Sequence, residues 1–249
     1  MDKLERFRLI ACSVFTRELC SLVASSSRIV DPEFLEIAAH EKSAVLRFQL
    51  QEAVDRCEGK GYSAILLGYG LCGNALVGLR ARSLPLVVPR AHDCCTILLG
   101  SAAAFLAEFG ETLSAPWSSC GYLERSADYM RRSETGRADG FGQEYAELVE
   151  KYGEDNAAYL WETLHPEIDE PVRRWIDMAG TAALGRERIV REEAAAAGKE
   201  FKRIAGSDRL LRALVEGPWD PADFLVVRPG ETVEALYDFV EVIRASPLE

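Results

Sequence analysis

Ala64-Ile-Leu-Leu-Gly-Tyr-Gly-Leu-Cys-Gly-Asn74 is the stretch whose reading decides the fold. The run Ala64–Leu67 is apolar without alternation, as expected of a strand buried on both faces in a parallel sheet. Gly68, Gly70 and Gly73 then break it and permit a tight turn in which backbone approaches a ligand closely. Upstream, Arg8-Leu-Ile-Ala-Cys-Ser-Val14 is another compact apolar run, and Phe15–Ser25 looks helical. Phe34–Ala38 reads as a strand ending just before His40. Ser43 is expected to cap a helix carrying Val45, Leu46, Leu50, Val54 and Cys57 at helical spacing. Downstream, Leu84–Val88 is a further strand with its Pro at the start. Cys94–Phe109 reads as one apolar helix ended by Gly110.

This alternation predicts an α/β protein, a parallel open sheet with helices on both faces, Rossmann-like, plus a mostly helical insertion. Residues 1–123 form the N-terminal α/β half. Residues 124–187, rich in Glu, Arg, Tyr and Trp, are expected to be a helical cap. Residues 188–249 return to the α/β pattern and complete the same sheet or a second one. In that last part a helix is expected over Ile189–Ala197, strands over Glu200–Ile204 and Asp223–Val227, a helix over Ser207–Val215 and a closing helix over Thr232–Ile243.

Composition narrows the class of partner. The 249 residues carry 29 Lys and Arg against 40 Asp and Glu, a net charge of −11. That excess repels a phosphate backbone, so nucleic acid is not an expected partner. The longest apolar stretches fall far short of a membrane span, and no leader pattern opens the chain, so a cytoplasmic protein away from membranes is expected. Seven cysteines, an odd number, in that setting argue for reduced thiols rather than a disulfide framework. Their spacing is not that of a zinc ribbon or finger.

Ligands of an open parallel sheet collect at the carboxyl ends of its strands. The expected elements deliver Cys12, His40, Cys72 and His92-Asp-Cys94 to that one rim from four strands. Cys72 is expected at or just before a helix N-terminus, where a thiol is more acidic. The loop is neither a dinucleotide nor a P-loop fingerprint. His92 and Cys94 lie two apart, so in extended backbone both project the same way and suit one metal. Cys12, Cys72, His92 and Cys94 are the candidate metal ligands, with Gly70 and Gly73 the glycines that let backbone close on a bound group. His40 is a candidate acid or base, Arg90 a clamp for an anionic group or thiolate, and Asp93 an orienter of His92. The competing reading makes His92 and Asp93 caps and the cysteines core filler. Cys20 and Cys57 are read as core, Glu18 as part of a solvated face, and Cys120 as a thiol that the next loop brings over the site. Zinc is the first choice of metal because imidazole and thiolate are mixed; a [4Fe-4S] cluster is the second.

The motifs Leu67–Asn74 and Pro89-Arg-Ala-His-Asp-Cys94, followed by Leu99-Gly-Ser101, resemble an uncharacterised bacterial and archaeal family, domain-of-unknown-function family 1638. Ile10-Ala-Cys12 with Glu18 and Asp223–Gly230 are similar to that family's ends. On this resemblance Cys12, His40, Cys72, His92 and Cys94 match signature positions. Trp117 and Cys120-Gly121 depart from the Gly-Trp pair expected after Pro116, which sets Cys120 apart. The resemblance also implies a setting in corrinoid-linked methyl-transfer metabolism. His92-x-Cys94 is similar to the zinc-ligand pair of corrinoid methyltransferases of the uroporphyrinogen-decarboxylase type. The expected function is that of a metal-binding protein acting as an enzyme on a small molecule, in one-carbon chemistry. The alternative is a metal-delivery or accessory protein for a corrinoid or methyltransferase partner. Either reading is compatible with an oligomer.

Overall fold

Strand β1, Arg6–Cys12, carries Leu9, Ile10 and Ala11 fully buried in the middle of a five-stranded sheet. The computed structural model describes residues 4–37, 43–110, 116–125, 149–150, 153–154, 156–157, 171–236 and 238–248. The sheet order is β2-β1-β3-β4-β8, with β2 spanning Ile29–Leu35, β3 Ala64–Gly68, β4 Leu86–Pro89 and β8 Phe224–Val227. The first four strands are parallel, and β8 closes one edge antiparallel to β4. Every residue of β3 and β4 is buried, as the unbroken apolar runs require.

A 3-10 turn, Ser13–Phe15, and helix α1, Thr16–Ser25, connect β1 to β2. Helix α2, Ser43–Asp55, precedes β3 and buries Leu46, Leu50, Ala53 and Val54. The chain steps from β1 out to β2 and then back across β1 to β3. Right-handed crossovers in opposite directions put α1 and α2 on opposite faces of the sheet. A second sheet is parallel throughout, with β5 (Trp117–Ser119), β6 (Val172–Asp177) and β7 (Glu200–Ala205) in that order. Helix α5, Glu187–Ala196, packs on β6 and β7, while α6, Arg209–Glu216, packs on α1, β3 and β4. The last part of the chain thus serves both sheets, β7 in one and β8 in the other. Among the described residues no helix is long and apolar enough to cross a membrane.

Three expected elements differ. The second strand lies at Ile29–Leu35 rather than Phe34–Ala38. Pro32 argues against a strand in the sequence, yet β2 is an edge, where a missing N–H is tolerated. The single helix over Cys94–Phe109 is two, α3 (Cys94–Leu99) and α4 (Ala102–Phe109). Gly100 turns left-handed between them at φ +83, and the Ser101 hydroxyl caps α4 by accepting from Ala104 N–H. Of the cap expected over 124–187, most lies outside the described residues, and the described part includes strand β6. The closing helix over Thr232–Ile243 is a hairpin, β9 (Glu231–Ala235) against β10 (Ile243–Pro247). Val233, Leu236, Val240 and Ile243 mimic helical spacing, but the Asp238 carboxylate accepts from the N–H groups of Val240 and Glu241 at 2.8 and 2.7 Å and fixes a turn instead.

Polar pairs fasten the edge strand. The Glu33 carboxylate of β2 receives Arg8 of β1 and, at 2.6 Å, Arg56 from beyond α2. Burial raises the pKa of Glu33, but the two guanidinium hydrogen bonds outweigh it and hold the carboxyl below its ordinary value. A carboxyl that is more acidic when folded stabilises the fold above its unfolded pKa of about 4.3, and the contribution is lost as pH falls through the lower folded value. Denaturant midpoints measured from pH 6 downwards should therefore favour the wild type over Glu33→Gln at pH 6, with the gap closing as acid protonates Glu33. A gap independent of pH would show that this carboxylate does not contribute through its charge.

Candidate functional site

Two loops leave the carboxyl ends of β3 and β4 side by side and continue the sheet's pairing past its strands. Leu71 N–H donates to the Ala91 carbonyl and Cys72 N–H to the His92 carbonyl, both at 2.8 Å. Gly70 makes this approach attainable: a Cβ there would stand 2.7 Å from the Asp93 nitrogen and 2.8 Å from its Cα. Cys72, Gly73 and Asn74 then follow with φ of +46, +61 and +66, a left-handed run that a cysteine rarely joins. Helix α2 braces the run, with the Ser43 hydroxyl donating to the Gly73 carbonyl at 2.6 Å and Arg47 to that of Asn74 at 3.1 Å. Ser43 is therefore a brace inside α2 rather than its cap. Residues 72–78 form successive turns and no helix, so Cys72 does not stand at a helix N-terminus.

Three thiols meet at this rim. Cys12 ends β1, Cys72 sits in the left-handed run and Cys94 opens α3. Side-chain hydrogen bonding couples the Cys94 thiol to Cys12 and to Cys72. Contact with Cys94 outweighs burial and draws the Cys12 thiol below its ordinary pKa, helped by a backbone bond at Val14. Both neighbouring thiols and burial drive Cys94 well above its own. One proton is thus more easily lost from the Cys12 end of the cluster than from its centre. Tyr69, between two of the loop glycines, is 2 % exposed, and its hydroxyl has no hydrogen-bond partner among the described residues. Burial first, then negative charge on Cys12, Cys72 or Cys94, pushes this phenol well above its usual pKa. The described residues include no group of three or more His, Cys, Asp or Glu side chains already arranged to hold an ion.

The other expected site residues are engaged elsewhere. His92 does not turn towards Cys94: its Nε2 lies 2.9 Å from the Asp238 carbonyl and its ring packs on Phe239 at 4.9 Å, so it anchors the β9–β10 loop. Arg90 donates to the carbonyls of Pro221, Glu241 and Ile243 at 2.8, 2.8 and 2.5 Å. Asp93 caps α3 through Thr96, accepting from its N–H at 2.8 Å and its hydroxyl at 2.9 Å. It orients a helix rather than His92. Gly70 and Gly73 serve loop-to-loop packing and the left-handed run. His40 lies outside the described residues.

Cys120 is buried in a separate small cluster with Trp175 and Val190, so it does not join the three thiols. Gly121 beside it is pressed on the Val14 carbonyl, where a Cβ would be 1.8 Å away. Glu18, expected on a solvated face, is buried, with one carboxylate oxygen unpartnered among the described residues. Cys57 is core as expected, whereas Cys20 is exposed and lines a cleft of about 490 Å³ with Arg17, Glu124 and Thr181. The residue that sequence reasoning missed is Tyr69. Its signal was an aromatic polar side chain between glycines at the end of a fully buried strand.

Of the known protein families, one described as "Protein of unknown function (DUF1638)" matches residues 34–205, more than half of the chain. No curated protein and no solved structure matches.

Gly70 carries the alignment of the two loops. Gly70→Ala is expected to cost about 1–3 kcal/mol of stability, the range for forcing a methyl into packed structure. Denaturant unfolding checks it; an unchanged midpoint would mean that the loops separate freely and that their pairing does not hold the site.

Proposed function

We propose that this chain, which belongs to the DUF1638 family, binds a soft transition metal on the thiolates of Cys12, Cys72 and Cys94 and acts there on a small molecule. The observation that carries the reading is the meeting of three cysteines from three separate segments around Cys94. Cys57 and Cys95, by contrast, are buried singly as core residues. The donor set fits such an ion by its chemistry. Three thiols crowded in a mostly apolar rim resist ionising one after another, and a divalent cation relieves that repulsion by replacing their protons. The strand order supports the location as well, because an order of 2-1-3-4 has its switch point between β1 and β3, where doubly wound, Rossmann-like sheets collect ligands.

With His92 held by Asp238, the ligand set is all sulfur rather than mixed, and nitrogen no longer argues for zinc. Zinc remains the favoured ion because the thiols crowd on one another, whereas a four-iron cube would spread them apart. When bound, zinc on three thiolates supplies a Lewis acid with one coordination position left for a substrate atom. The chain's own work is to hold Cys72 and Cys94 in register and to keep the rim apolar. Cys12, Cys72 and Cys94 would hold the ion, and the chemistry it would supply is Lewis-acid activation of a small molecule, one-carbon compounds included.

Metal analysis and a visible spectrum of anaerobically purified protein test the proposal. About one zinc per chain is expected for a mononuclear site, lost in Cys12→Ala, Cys72→Ala and Cys94→Ala but kept in His92→Ala. A brown chromophore lost in the same three variants would replace zinc by an iron–sulfur centre. Stoichiometric metal that survives Cys72→Ala and Cys94→Ala, or no metal after reconstitution under reducing conditions, would overturn the reading.

A further inference from the structure

The second sheet is parallel throughout, and a parallel sheet gathers ligands at the carboxyl ends of its strands, where the loops part. At that end lies a cleft of about 490 Å³, a size typical of small-molecule sites. Three segments remote in sequence wall it. The start of α1 supplies Thr16, Arg17 and Cys20, the chain beyond β5 supplies Glu124 and Arg125, and the chain beyond β6 supplies Thr181.

Most of its polar groups are held in place by the protein itself. Arg17 donates from Nε and Nη2 to the two oxygens of Glu124 at 2.7 and 2.8 Å, which uses two of a guanidinium's five N–H groups and leaves three. The same carboxylate also receives Arg186 at 3.3 Å, so one negative charge answers two positive ones. Arg125 is exposed and has no hydrogen-bond or ion-pair partner among the described residues. Glu18, next to Arg17 in sequence, is buried and is not part of the wall. Thr181 is 6 % exposed and donates its hydroxyl to the Met178 carbonyl at 3.3 Å, as Thr16 does to that of Ser13 at 2.7 Å. The cleft therefore carries an excess of guanidinium charge on a chain whose net charge is −11. Unspent guanidinium N–H groups in a concave site match the paired oxygens of a carboxylate or a phosphoryl group.

We propose that this cleft is a binding site for a small organic oxyanion, a carboxylate or a phosphate monoester, held by Arg17 and Arg125. The inference goes beyond the thiol-centre reading and does not depend on it.

Cys20 reports occupancy, because it is exposed and belongs to the wall. The reduced full chain is labelled with iodoacetamide, a neutral reagent, and the rate at Cys20 is followed by peptide mass spectrometry with Cys72 as the reference. Malonate probes for a carboxylate site and inorganic phosphate for a phosphoryl site, each against sodium chloride of equal ionic strength. At least one probe should slow Cys20 about tenfold at roughly ten times its Kd, as simple occupancy requires, and leave Cys72 unchanged. Protection by malonate alone assigns a carboxylate, by phosphate alone a phosphoryl compound, and by both the wider class. Arg125→Ala should weaken the protecting probe about tenfold, the loss of roughly one charge-assisted hydrogen bond. Arg125→Gln takes its place if that variant does not fold. Labelling of Cys20 that neither probe slows beyond the chloride control overturns the proposal. Protection that survives the loss of the Arg125 charge overturns it as well.

Discussion

The Cys72 N–H donates to the His92 carbonyl at 2.8 Å, one residue beyond the bond from Leu71 to Ala91. These two bonds tie together what would otherwise be independent loops. Through them the position of Cys72 is set by the backbone that also positions Cys94, two residues further on. Gly70 is the steric condition for this, since any side chain there would strike the Asp93 backbone. On the other side of β3, a Cβ on Gly68 would be 2.6 Å from that of Ala11, so β1 and β3 can close together only at a glycine. That closure brings Cys12, the next residue of β1, to the same rim. The glycines of the loop thus act on protein backbone, and the three thiols meet as a consequence.

Outer anchors hold the rim in place. Arg90 ties the end of β4 to the Pro221 carbonyl and to the Glu241–Ile243 backbone of the hairpin, while His92 grips the Asp238 carbonyl in its loop. Asp238 in turn gathers the N–H groups that close that turn. The functional-looking motif Pro89–Cys94 therefore divides its labour. Arg90, His92 and Asp93 satisfy backbone groups and a helix end, and only Cys94 faces the other sulfurs. Charged and aromatic groups so heavily engaged are poorly placed to move during chemistry, which suits them to rigid support.

How much of this was legible in the sequence follows from the kind of signal each element leaves. The strands β1, β3 and β4 were plain because full burial writes an unbroken apolar run, as in Ala64–Leu67. The edge strand β2 was displaced because Asp31 and Pro32 look like a turn when the neighbour on one side is unknown. The hairpin was read as a helix because Val233 and Ile243 are buried from two strands, and two strands sum to an accidental helical period. In the site, the convergence of Cys12, Cys72 and Cys94 was legible because sheet topology alone delivers strand ends to one edge. The direction of His92 was not. Two-residue spacing predicts a shared direction only in extended backbone, and Asp93-Cys94 already turns into α3, while the acceptor at Asp238 is remote in sequence.

Where a fold departs from its local preferences helps to locate its function, provided each departure is weighed against what surrounds it. The buried Arg28 guanidinium has one nitrogen without a hydrogen-bond partner, but it lies between the rings of Phe7 and Trp219, which attract its charge. Glu108 has a buried oxygen and still meets Lys202 at 2.7 Å. Neither departure asks for a ligand. Around the three sulfurs the balance differs, because Cys72 sits at φ +46, a left-handed backbone that its side chain disfavours. A glycine would relieve it, but at the loss of a sulfur that packs against the core. Strain of this sort persists when the surroundings fix it, and here the paired loops do so.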